Sequence, residues 1–556
     1  MFRKRDLMIF IPVMIYLLFF YYFPMLYVLK DAFIKNEKFT VDIFLSLFQD
    51  KSVLFSIIFS FWEAIISVIL CVILGIPIAY ILTKYDFPGK ELFTSLIMIP
   101  FILPGVVVGY SIIVLYGING IFTNIIRSLT GMSIVLGRGL PGIFIAHTFY
   151  NASLVALITS SVWRRVDPEI EEAARTLGSS GLHKFFKITL PLIAPGLLSS
   201  ALIVFLFCFT SFEIILILGG AMYRTIEVEI YTLYLAFFDF NKAAALSLFQ
   251  LIVVSIITLI YLRQLAKATE LRKTGKIVVY PTKPLVRSFR DIFKPQKIVV
   301  ILYLALYSIF IFSPLVVLGV SAFYDPVTDS FSLKGFEALF SNKYNTFLGA
   351  APVVAPLNTL IYSFVTVIIV FIISIFSAKL MLDRRLFSLI FGLLMFLPVA
   401  TSRITIGLAM VASYGKLGLL SMDPRPIIVA AHTIIAYPFA TRTLLNGLTK
   451  IDPEVVNAAR TLGAEGIFRI KKVDIPLIKP SIISAIALSF SISVGEFAAT
   501  SILYRGKYAT LTIFLYLMIG ARKFIVANAA AFLLILMTLL TFIIIVKSGE
   551  DISASI

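Results

Sequence analysis

The sequence has few of the residues on which soluble enzymes and disulfide-rich proteins depend. Among its 556 residues are 2 cysteines, 3 histidines and 2 tryptophans, and 14% of the residues are charged. Cys71 and Cys208 both fall inside apolar runs, so a disulfide framework is not indicated. The dispersed histidines and cysteines have no catalytic or metal-ligand spacing, which argues against an enzyme and predicts no metal site.

Apolar residues make up most of the chain. They account for 60% of the chain, and the mean hydropathy is +1.01. A soluble domain could not bury this much apolar surface, so the composition predicts an integral membrane protein. The apolar runs are continuous rather than alternating, which excludes a transmembrane barrel and favours helices.

Apolar runs of about 20 residues, the length of a membrane-spanning helix, recur along the whole chain. The first run is too long for a secretory signal and no small-residue cleavage site follows it, so we expect it to be retained as a span. The predicted fold is all-α and polytopic, with about twelve spans at residues 7–29, 53–83, 92–116, 142–163, 192–218, 242–262, 298–322, 357–382, 386–413, 427–446, 476–503 and 524–546.

The distribution of Lys and Arg predicts the orientation. Residues 263–297 hold ten basic residues against two acids, and a basic cluster precedes the first span, so both are expected in the cytoplasm together with both termini. The segment 219–241 is richer in acids and is expected outside, whereas the basic residues near 505–523 break the rule. The net charge of +18 therefore reflects topology and contact with lipid headgroups, and nucleic acid is not a predicted partner.

The second half of the sequence repeats the first. Shifting by 285 residues superimposes the Ala-Ala-Arg-Thr-Leu-Gly segment at 173–178 on the one at 458–463, and His147 on His432. Two copies of a six-span unit enter the membrane with the same polarity, so the halves are predicted to be parallel and related by a pseudo-twofold axis. The predicted organisation is a first half at 1–262, a cytoplasmic linker at 263–297 and a second half at 298–556.

Each half carries a polar loop between its fourth and fifth spans, at about 164–191 and 447–476. In each loop an Asp-Pro pair, at 167–168 and 452–453, begins a predicted helix of about ten residues, with the aspartate as its cap. Gly178 and Gly463 are predicted to end the two helices at a left-handed position. Such a helix is too short to be stable alone. It either packs on its own transmembrane bundle or serves as a docking element, and the pattern alone leaves both alternatives open.

The first loop reads Glu-Ala-Ala, three residues, Gly178, nine residues and then Ile-x-Leu-Pro, which resembles the signature loop in permease subunits of type I ABC importers. The resemblance implies that each loop forms a coupling helix that docks on a cytoplasmic ATPase subunit. The second copy departs from the signature, because Asn457 replaces the leading glutamate, so the two contacts are expected to be unequal. The implied coupling residues are Glu171, Glu172, Ala173, Ala174, Arg175, Gly178, Asn457, Ala458, Ala459, Arg460 and Gly463.

Within that family, the segments 208–220, 224–231 and 493–500 most resemble the fused thiamine permeases, with the fused ferric-iron permeases next. The resemblance implies import of thiamine or a related cationic vitamin, and ferric iron, phosphonates and polyamines are the alternatives. It also implies an inner-membrane location, a solute-binding protein outside and two ATPase subunits inside. No Gly-x-x-x-x-Gly-Lys-Ser/Thr motif occurs, so we expect no cofactor in this chain and Mg-ATP in the partner subunits. A secondary transporter is the rival class, since it shares the parallel repeat.

Ionisable residues at membrane depth are costly and tend to line a path or pair inside the bundle. Glu213 and Glu496 lie in the two fifth spans, where the resemblance places the translocation path, and Phe212 and Phe497 flank them. The aromatic rings could stack on a planar cation, although core packing is the default for phenylalanine. Arg403 is the fifth path candidate, and its pairing with one of the acids is an equal alternative. Glu63 is expected at a helix contact, and His147 and His432 are expected to form structural hydrogen bonds.

Overall fold

The computed structural model describes residues 4–35, 37–274, 282–286, 292–326, 328–382, 392, 394–395, 397–464 and 466–548. Helices dominate the described part of the chain. In the first half these are α1 (Lys4–Leu17), α2 (Phe23–Phe33), α3 (Asp42–Gln49), α4 (Lys51–Lys84), α5 (Lys90–Leu96), α6 (Ile99–Ile102), α7 (Gly105–Tyr116), α8 (Ile121–Thr130), α9 (Gly139–Trp163), α10 (Pro168–Thr176), α11 (Gly181–Lys184), α12 (Leu190–Phe209), α13 (Glu213–Leu218), α14 (Ile226–Leu235) and α15 (Phe240–Thr274).

The second half repeats this order, with the segment 383–400 described only in part. Its helices are α16 (Pro295–Ser321), α17 (Lys334–Phe340), α18 (Asn345–Leu348), α19 (Val354–Met381), α20 (Arg403–Met410), α21 (Leu419–Met422), α22 (Arg425–Thr449), α23 (Pro453–Thr461), α24 (Gly466–Arg469), α25 (Ile475–Leu477), α26 (Lys479–Gly495), α27 (Ala498–Leu503), α28 (Leu511–Gly520) and α29 (Phe524–Ser548).

Minor elements lie at the ends of the spans. Single π-helical turns occur at Leu18–Tyr22, Phe185–Thr189, Val411–Gly415 and Ile470–Asp474, and 3-10 turns at Asn342–Tyr344 and Gly506–Tyr508. Three strand pairs of two residues each are β1–β2 (Ile34–Lys35 with Lys38–Phe39), β3–β4 (Tyr85–Asp86 with Lys283–Pro284) and β5–β6 (Tyr324–Asp325 with Ser330–Phe331). The β3–β4 pair is parallel and attaches the linker to the end of α4, where the Leu285 N–H donates to the Asp86 carbonyl at 2.7 Å.

Ten helical segments of the described residues are long and apolar enough to cross a membrane. They match ten of the twelve predicted spans. The eleventh predicted span, 476–503, holds a helix of 17 residues, Lys479–Gly495, and the predicted span 386–413 is described except for residues 386–391, 393 and 396. The fold is therefore all-α and polytopic, in two halves.

Several spans predicted to be continuous are broken. The predicted span 92–116 consists of α5, α6 and α7, and Pro104 precedes the last of them in an extended conformation. The span 192–218 breaks after Phe209, and the span 476–503 breaks at Glu496. Hydropathy averaged over a span does not detect such breaks, because the apolar residues on both sides outweigh the few polar ones at the break. Breaks at membrane depth are tolerated where the protein itself supplies partners for the freed backbone groups.

The first span of each half packs on the other half. In the π-helical turn before α2, Tyr21 Oη lies 2.6 Å from Thr401 Oγ1, and the Tyr414 hydroxyl donates to the Phe19 carbonyl at 2.5 Å. In α16, the hydroxyl of Tyr307 lies 2.9 Å from Ser153 Oγ. The exchange of first spans interlocks the halves and makes a single core of them.

Candidate functional site

Both polar loops form the predicted helices, α10 and α23, of nine residues each. Asp167 Oδ1 accepts a hydrogen bond from the Glu169 N–H at 2.9 Å, and Asp452 Oδ1 accepts one from the Glu454 N–H at 2.8 Å. Gly178 and Gly463 follow the helices with φ of 86° and 79°, in the left-handed region that favours glycine. The capping predictions are therefore confirmed in both halves.

The two helices expose corresponding surfaces. Ala174 and Ala459 are buried, while Leu177 is 88% exposed and its counterpart Leu462 is 86% exposed. The other predicted coupling positions with described side chains lie on the exposed side, namely Glu172, Ala173, Arg175, Gly178, Asn457, Ala458 and Gly463. The side chain of Arg460 lies outside the described residues. Each helix thus leans on its bundle through a small residue and presents a leucine outward.

Glu171, predicted among the coupling residues, is directed into the bundle instead. Its carboxylate forms an ion pair with Lys84 and accepts a hydrogen bond from Trp163 Nε1 at 3.4 Å. Burial opposes ionisation of this carboxyl, but the contacts from Lys84, Trp163 and Lys184 outweigh burial and lower its pKa below the usual value. Glu171 therefore anchors α10 to α4 and α9, and Glu172 is the exposed glutamate of the pair.

The breaks in the two fifth spans meet near the pseudo-twofold axis. Phe212 and Phe497, which correspond at the offset of 285, stack on each other with ring centroids 5.8 Å apart and planes 22° apart. Tyr231 and Tyr516 flank the stack symmetrically, each 5.2 Å from the neighbouring phenylalanine. Both phenylalanines are fully buried. In this conformation the rings contact one another and leave no room for a solute between them.

The path candidates Glu213 and Arg403 are brought together across the two halves. Arg403 Nη1 lies 3.9 Å from Glu213 Oε1, and the arginine side chain is 50% exposed while that of Glu213 is 11% exposed. Gly105 makes room for this acid, because a Cβ there would lie 3.1 Å from Glu213 Oε2. The pair is long and its cation is accessible, so a solute could reach it.

Glu496 has a different environment from Glu213. It accepts hydrogen bonds from the Ala499 N–H at 2.7 Å and the Thr500 N–H at 3.0 Å, which caps α27, and it pairs with His432 Nε2 at 3.4 Å. Its side chain is fully buried. Glu496 therefore serves as a cap in this conformation, because the helix break that creates the fifth-span turn needs one, and its place in the path stays a prediction.

In the first half, His147 corresponds to His432 but pairs with an acid on another span, Glu63 on α4. His147 Nδ1 lies 2.6 Å from Glu63 Oε1, and His147 Nε2 lies 2.9 Å from Ser211 Oγ. His432 likewise contacts Ser493 Oγ at 2.8 Å through Nδ1. Both histidines form buried hydrogen bonds, and Glu63 joins α4 to α9, as predicted for all three.

Two buried acids escaped the sequence analysis. Glu227 and Glu229 were assigned to an outer loop, but both lie on the buried helix α14. Glu227 accepts hydrogen bonds from Ser402 Oγ at 2.9 Å and Gln250 Nε2 at 3.0 Å, whereas Glu229 pairs with Arg224 at 3.1 Å. The segment "IEVEIY" was assigned to a polar loop because of its two acids. Their burial depends on partners from distant parts of the chain, which the local pattern does not show.

The duplication with a docking-type helix in each half agrees with the comparison to known families. The profile of the family described as "binding-protein-dependent transport system inner membrane component" matches residues 71–270 and 370–548. The chain belongs to this family. It is therefore a permease subunit of an ABC importer rather than an enzyme, and a multi-pass protein of the inner membrane that works with a solute-binding protein. This assignment decides against the secondary transporter.

Individual relatives extend over nearly the whole chain. The thiamine transport system permease protein ThiP of Escherichia coli strain K12 is 25% identical over 519 residues, which are 91% of this chain and 91% of that protein. The Haemophilus influenzae protein of the same name is 26% identical with the same coverage, and a probable ABC transporter permease y4fN of Sinorhizobium fredii is 24% identical over 80% of this chain and 78% of that protein.

A solved structure of a bacterial ABC transporter for import of the polysaccharide alginate is similar to half of this permease. It has 21% sequence identity and a TM-score of 0.40, and the match covers 49% of this chain and 98% of that one.

Proposed function

We propose that this permease imports thiamine or a related cationic vitamin, with two ATPase subunits docked on α10 and α23 and a solute-binding protein on the opposite face. The thiamine permeases that match 91% of the chain support the solute. Mg-ATP is bound by the partner subunits in this proposal, and the termini and the linker at 263–297 face the cytoplasm, as the Lys and Arg distribution predicts. The linker joins halves at 1–262 and 298–556.

The observation that carries the proposal is the pair of exposed leucines on the coupling helices. Leu177 is 88% exposed and Leu462 is 86% exposed, so the same apolar side chain is presented outward at the same position of both coupling helices. Both leucines occupy the same position in loops that connect the same two spans, so they lie on one side of the membrane. Two similar ATPase subunits would find two similar docking elements.

The path residues support a planar cationic solute. Separation of Phe212 from Phe497 during outward opening would expose two aromatic faces, which attract cations, beside the carboxylate of Glu213. Arg403 neutralises Glu213 in the closed path, and its displacement from that acid would accompany solute entry. The half-exposed guanidinium also supports a second candidate, a solute with an anionic group such as a phosphonate, because arginine binds such groups through two parallel hydrogen bonds.

The test is transport by the permease reconstituted in liposomes with its ATPase subunits and its solute-binding protein. Thiamine is offered in parallel with ferric iron, 2-aminoethylphosphonate and spermidine. We expect ATP-dependent uptake of thiamine alone. Uptake of phosphonate and not thiamine would instead establish the second candidate, and uptake of iron or spermidine alone would overturn both.

Docking is tested by replacing both exposed leucines. Leu177→Asp with Leu462→Asp is expected to abolish co-purification of the ATPase subunits, because a charge would have to be buried in an apolar pocket. Leu177→Met with Leu462→Met keeps the apolar surface and serves as the matched control. Retention of the ATPases by the aspartate variant would place the docking surface elsewhere.

A further inference from the structure

A buried acid held between two cations lies behind each coupling loop. In the first half the acid is Glu171 on α10. Lys84 at the end of α4 pairs with it, Lys184 Nζ lies 3.8 Å away, and Thr189 Oγ1 donates a hydrogen bond to it at 3.3 Å. The carboxylate thus joins the coupling helix to the second span and to the segment that leads into the fifth.

In the second half the acid has changed position. It is Asp474, whose Oδ2 lies 3.6 Å from Lys379 Nζ and whose Oδ1 lies 3.4 Å from Arg469 Nε. At the offset of 285, Arg469 corresponds to Lys184 and Asp474 corresponds to Thr189. The residue that corresponds to Glu171 is Val456, which carries no charge.

The lysine that pairs with the acid also occupies a different position on the second span of the second half. Ser60 on α4 and Thr359 on α19 each accept a hydrogen bond, at 2.8 Å, from the first N–H of α14 and α28 respectively, so these spans correspond at an offset of 299 (359 − 60). Lys379 therefore corresponds to Tyr80, one helical turn before Lys84. The side-chain exposures still agree, at 18% for both lysines and 22% for both Lys184 and Arg469.

The position of the acid decides which segment the ionic cluster holds. A buried acid needs a cation beside it wherever it lies, so the cations accompany the acid in both halves. In the first half the acid belongs to the coupling helix, so movement of α10 pulls on α4 directly. In the second half it belongs to the start of the fifth span, and the same kind of cluster joins α19 to that span.

We infer that Glu171 is a positioning residue that ties the first coupling helix to α4. Val456, the corresponding residue of the second coupling helix, has no carboxylate to form this tie, so the two ATPase contacts transmit movement to the spans unequally. The tie itself follows from the structure, and the unequal transmission rests on the proposed function. The two parts are tested separately.

The tie is tested on the permease alone in lipid nanodiscs by amide hydrogen exchange. Glu171→Val gives the first coupling helix the residue that the second has, Val456. Adding Thr189→Asp returns an acid to the cluster, at the position of Asp474, but not to the coupling helix. Both variants should raise exchange in α10 by about tenfold, whereas Tm should fall in the single variant and recover in the double variant. If the double variant recovered wild-type exchange in α10 as well as wild-type Tm, the inference would be overturned. The cluster would then only balance charge and would not hold α10 to α4.

The converse variant gives a matched control in the other half. Val456→Glu with Asp474→Thr transfers the acid onto the second coupling helix, and it should lower exchange in α23 while leaving α10 unchanged. Exchange in α23 that stays at the wild-type value would contradict the inferred role of the acid.

Unequal transmission is tested in the complete transporter as ATP hydrolysed per thiamine imported. The Glu171→Val and Thr189→Asp double variant should assemble with its ATPases and raise this ratio at least about threefold. A ratio equal to that of wild type would overturn unequal transmission. A wild-type complex that imports no thiamine counts against the proposed solute, and the exchange experiments then decide the tie by themselves.

Discussion

At the scale of single residues, charge pairs of this permease divide by whether a solute could reach them. Glu63 with His147 and Glu496 with His432 are buried and have structural partners on several elements. Among the three pairs formed by Glu63, Glu496 and Glu213, the pair of Glu213 with Arg403 is the exposed one, because half of the arginine side chain is exposed. The two buried acid–histidine pairs therefore stabilise the fold, whereas the exposed Glu213–Arg403 pair is available for transport.

Asp50 gives a residue-scale prediction because it both caps α4 and pairs with a distant lysine. Its Oδ1 accepts hydrogen bonds from the Ser52 N–H at 3.0 Å and the Val53 N–H at 3.5 Å, and its Oδ2 lies 2.8 Å from Lys242 Nζ. Asp50→Ala should lower the free energy of unfolding by about 1 kcal/mol, measured as a lower Tm in nanodiscs.

The effect of Asp50 should depend on pH. The hydrogen bond from Lys242, followed by the cap amides, lowers the pKa of Asp50 against a smaller opposing effect of burial. A lowered pKa means that the stabilisation is present at neutral pH and is lost as the pH falls below about 4, the usual range of aspartate. The Tm difference between wild type and Asp50→Ala should therefore shrink on acidification. Lys242→Gln, which keeps the cap, should cost less, and an equal deficit at pH 7 and pH 3 would contradict this account.

At the scale of helices, close approach depends on glycines on the helices that contact α13 and α27. Gly407 on α20 faces the backbone of α27, and a Cβ there would lie 2.9 Å from Ala499 Cα and 3.0 Å from its carbonyl oxygen. Gly109 on α7 faces a side chain instead, since the nearest atom would be Ile217 Cδ1 at 3.3 Å. A side chain turns aside more easily than a backbone, so the two glycines constrain the fold to different degrees.

Alanine substitutions should rank accordingly. Gly407→Ala should destabilise by about 1 to 3 kcal/mol, the usual cost of overpacking, and Gly109→Ala by less. Gly319→Ala in α16 should be neutral or stabilising, because no described atom lies within 4 Å of the added Cβ and alanine favours the helix. Thermal unfolding of the three variants in nanodiscs measures the order. A Gly109→Ala variant less stable than Gly407→Ala would contradict the geometry.

At the scale of the whole molecule, the exchanged first spans bind the halves together. The Tyr110 hydroxyl donates to Asn528 Oδ1 at 2.6 Å, and the Tyr303 hydroxyl donates to the Leu74 carbonyl at 2.8 Å. The hydrogen bond of Tyr303 and the contacts of Tyr21 and Tyr307 lie on the exchanged spans. The hydrogen bond of Tyr110 joins the two halves at other helices, α7 and α29. Each half alone would expose the surface that normally holds the other half's first span.

Two co-expressed fragments, ending at Thr274 and beginning at Thr282, should therefore assemble without the covalent link. We expect them to co-purify through a tag on either fragment, and each fragment expressed alone to aggregate or to be degraded. A second-half fragment that also lacks α16 should lose the partner, because that span is the one that crosses over. Stable single halves would show that the exchange contributes little to folding.

Whether a sequence prediction is confirmed depends on how far apart in the chain the interacting residues lie. The caps Asp167 and Asp452, the left-handed Gly178 and Gly463, and the duplication depend on residues close in sequence, or on the repeat itself, and all of these predictions are confirmed. Hydropathy predicted ten of the spans, because the apolar length needed to cross a bilayer is a local property. Hydropathy did not predict the breaks after Phe209 and at Glu496, because the backbone groups freed there find hydrogen-bond partners in distant parts of the chain.

The tertiary structure adds what composition and spacing leave open. It pairs Arg403 with Glu213 rather than Glu496, buries Glu227 against Ser402 and turns Glu171 away from the docking face toward Lys84. Each of these pairings joins residues from different elements, and several candidate partners were chemically equivalent in the sequence. The choice among them depends on how the exchanged spans pack, which is a property of the folded molecule and not of any single segment.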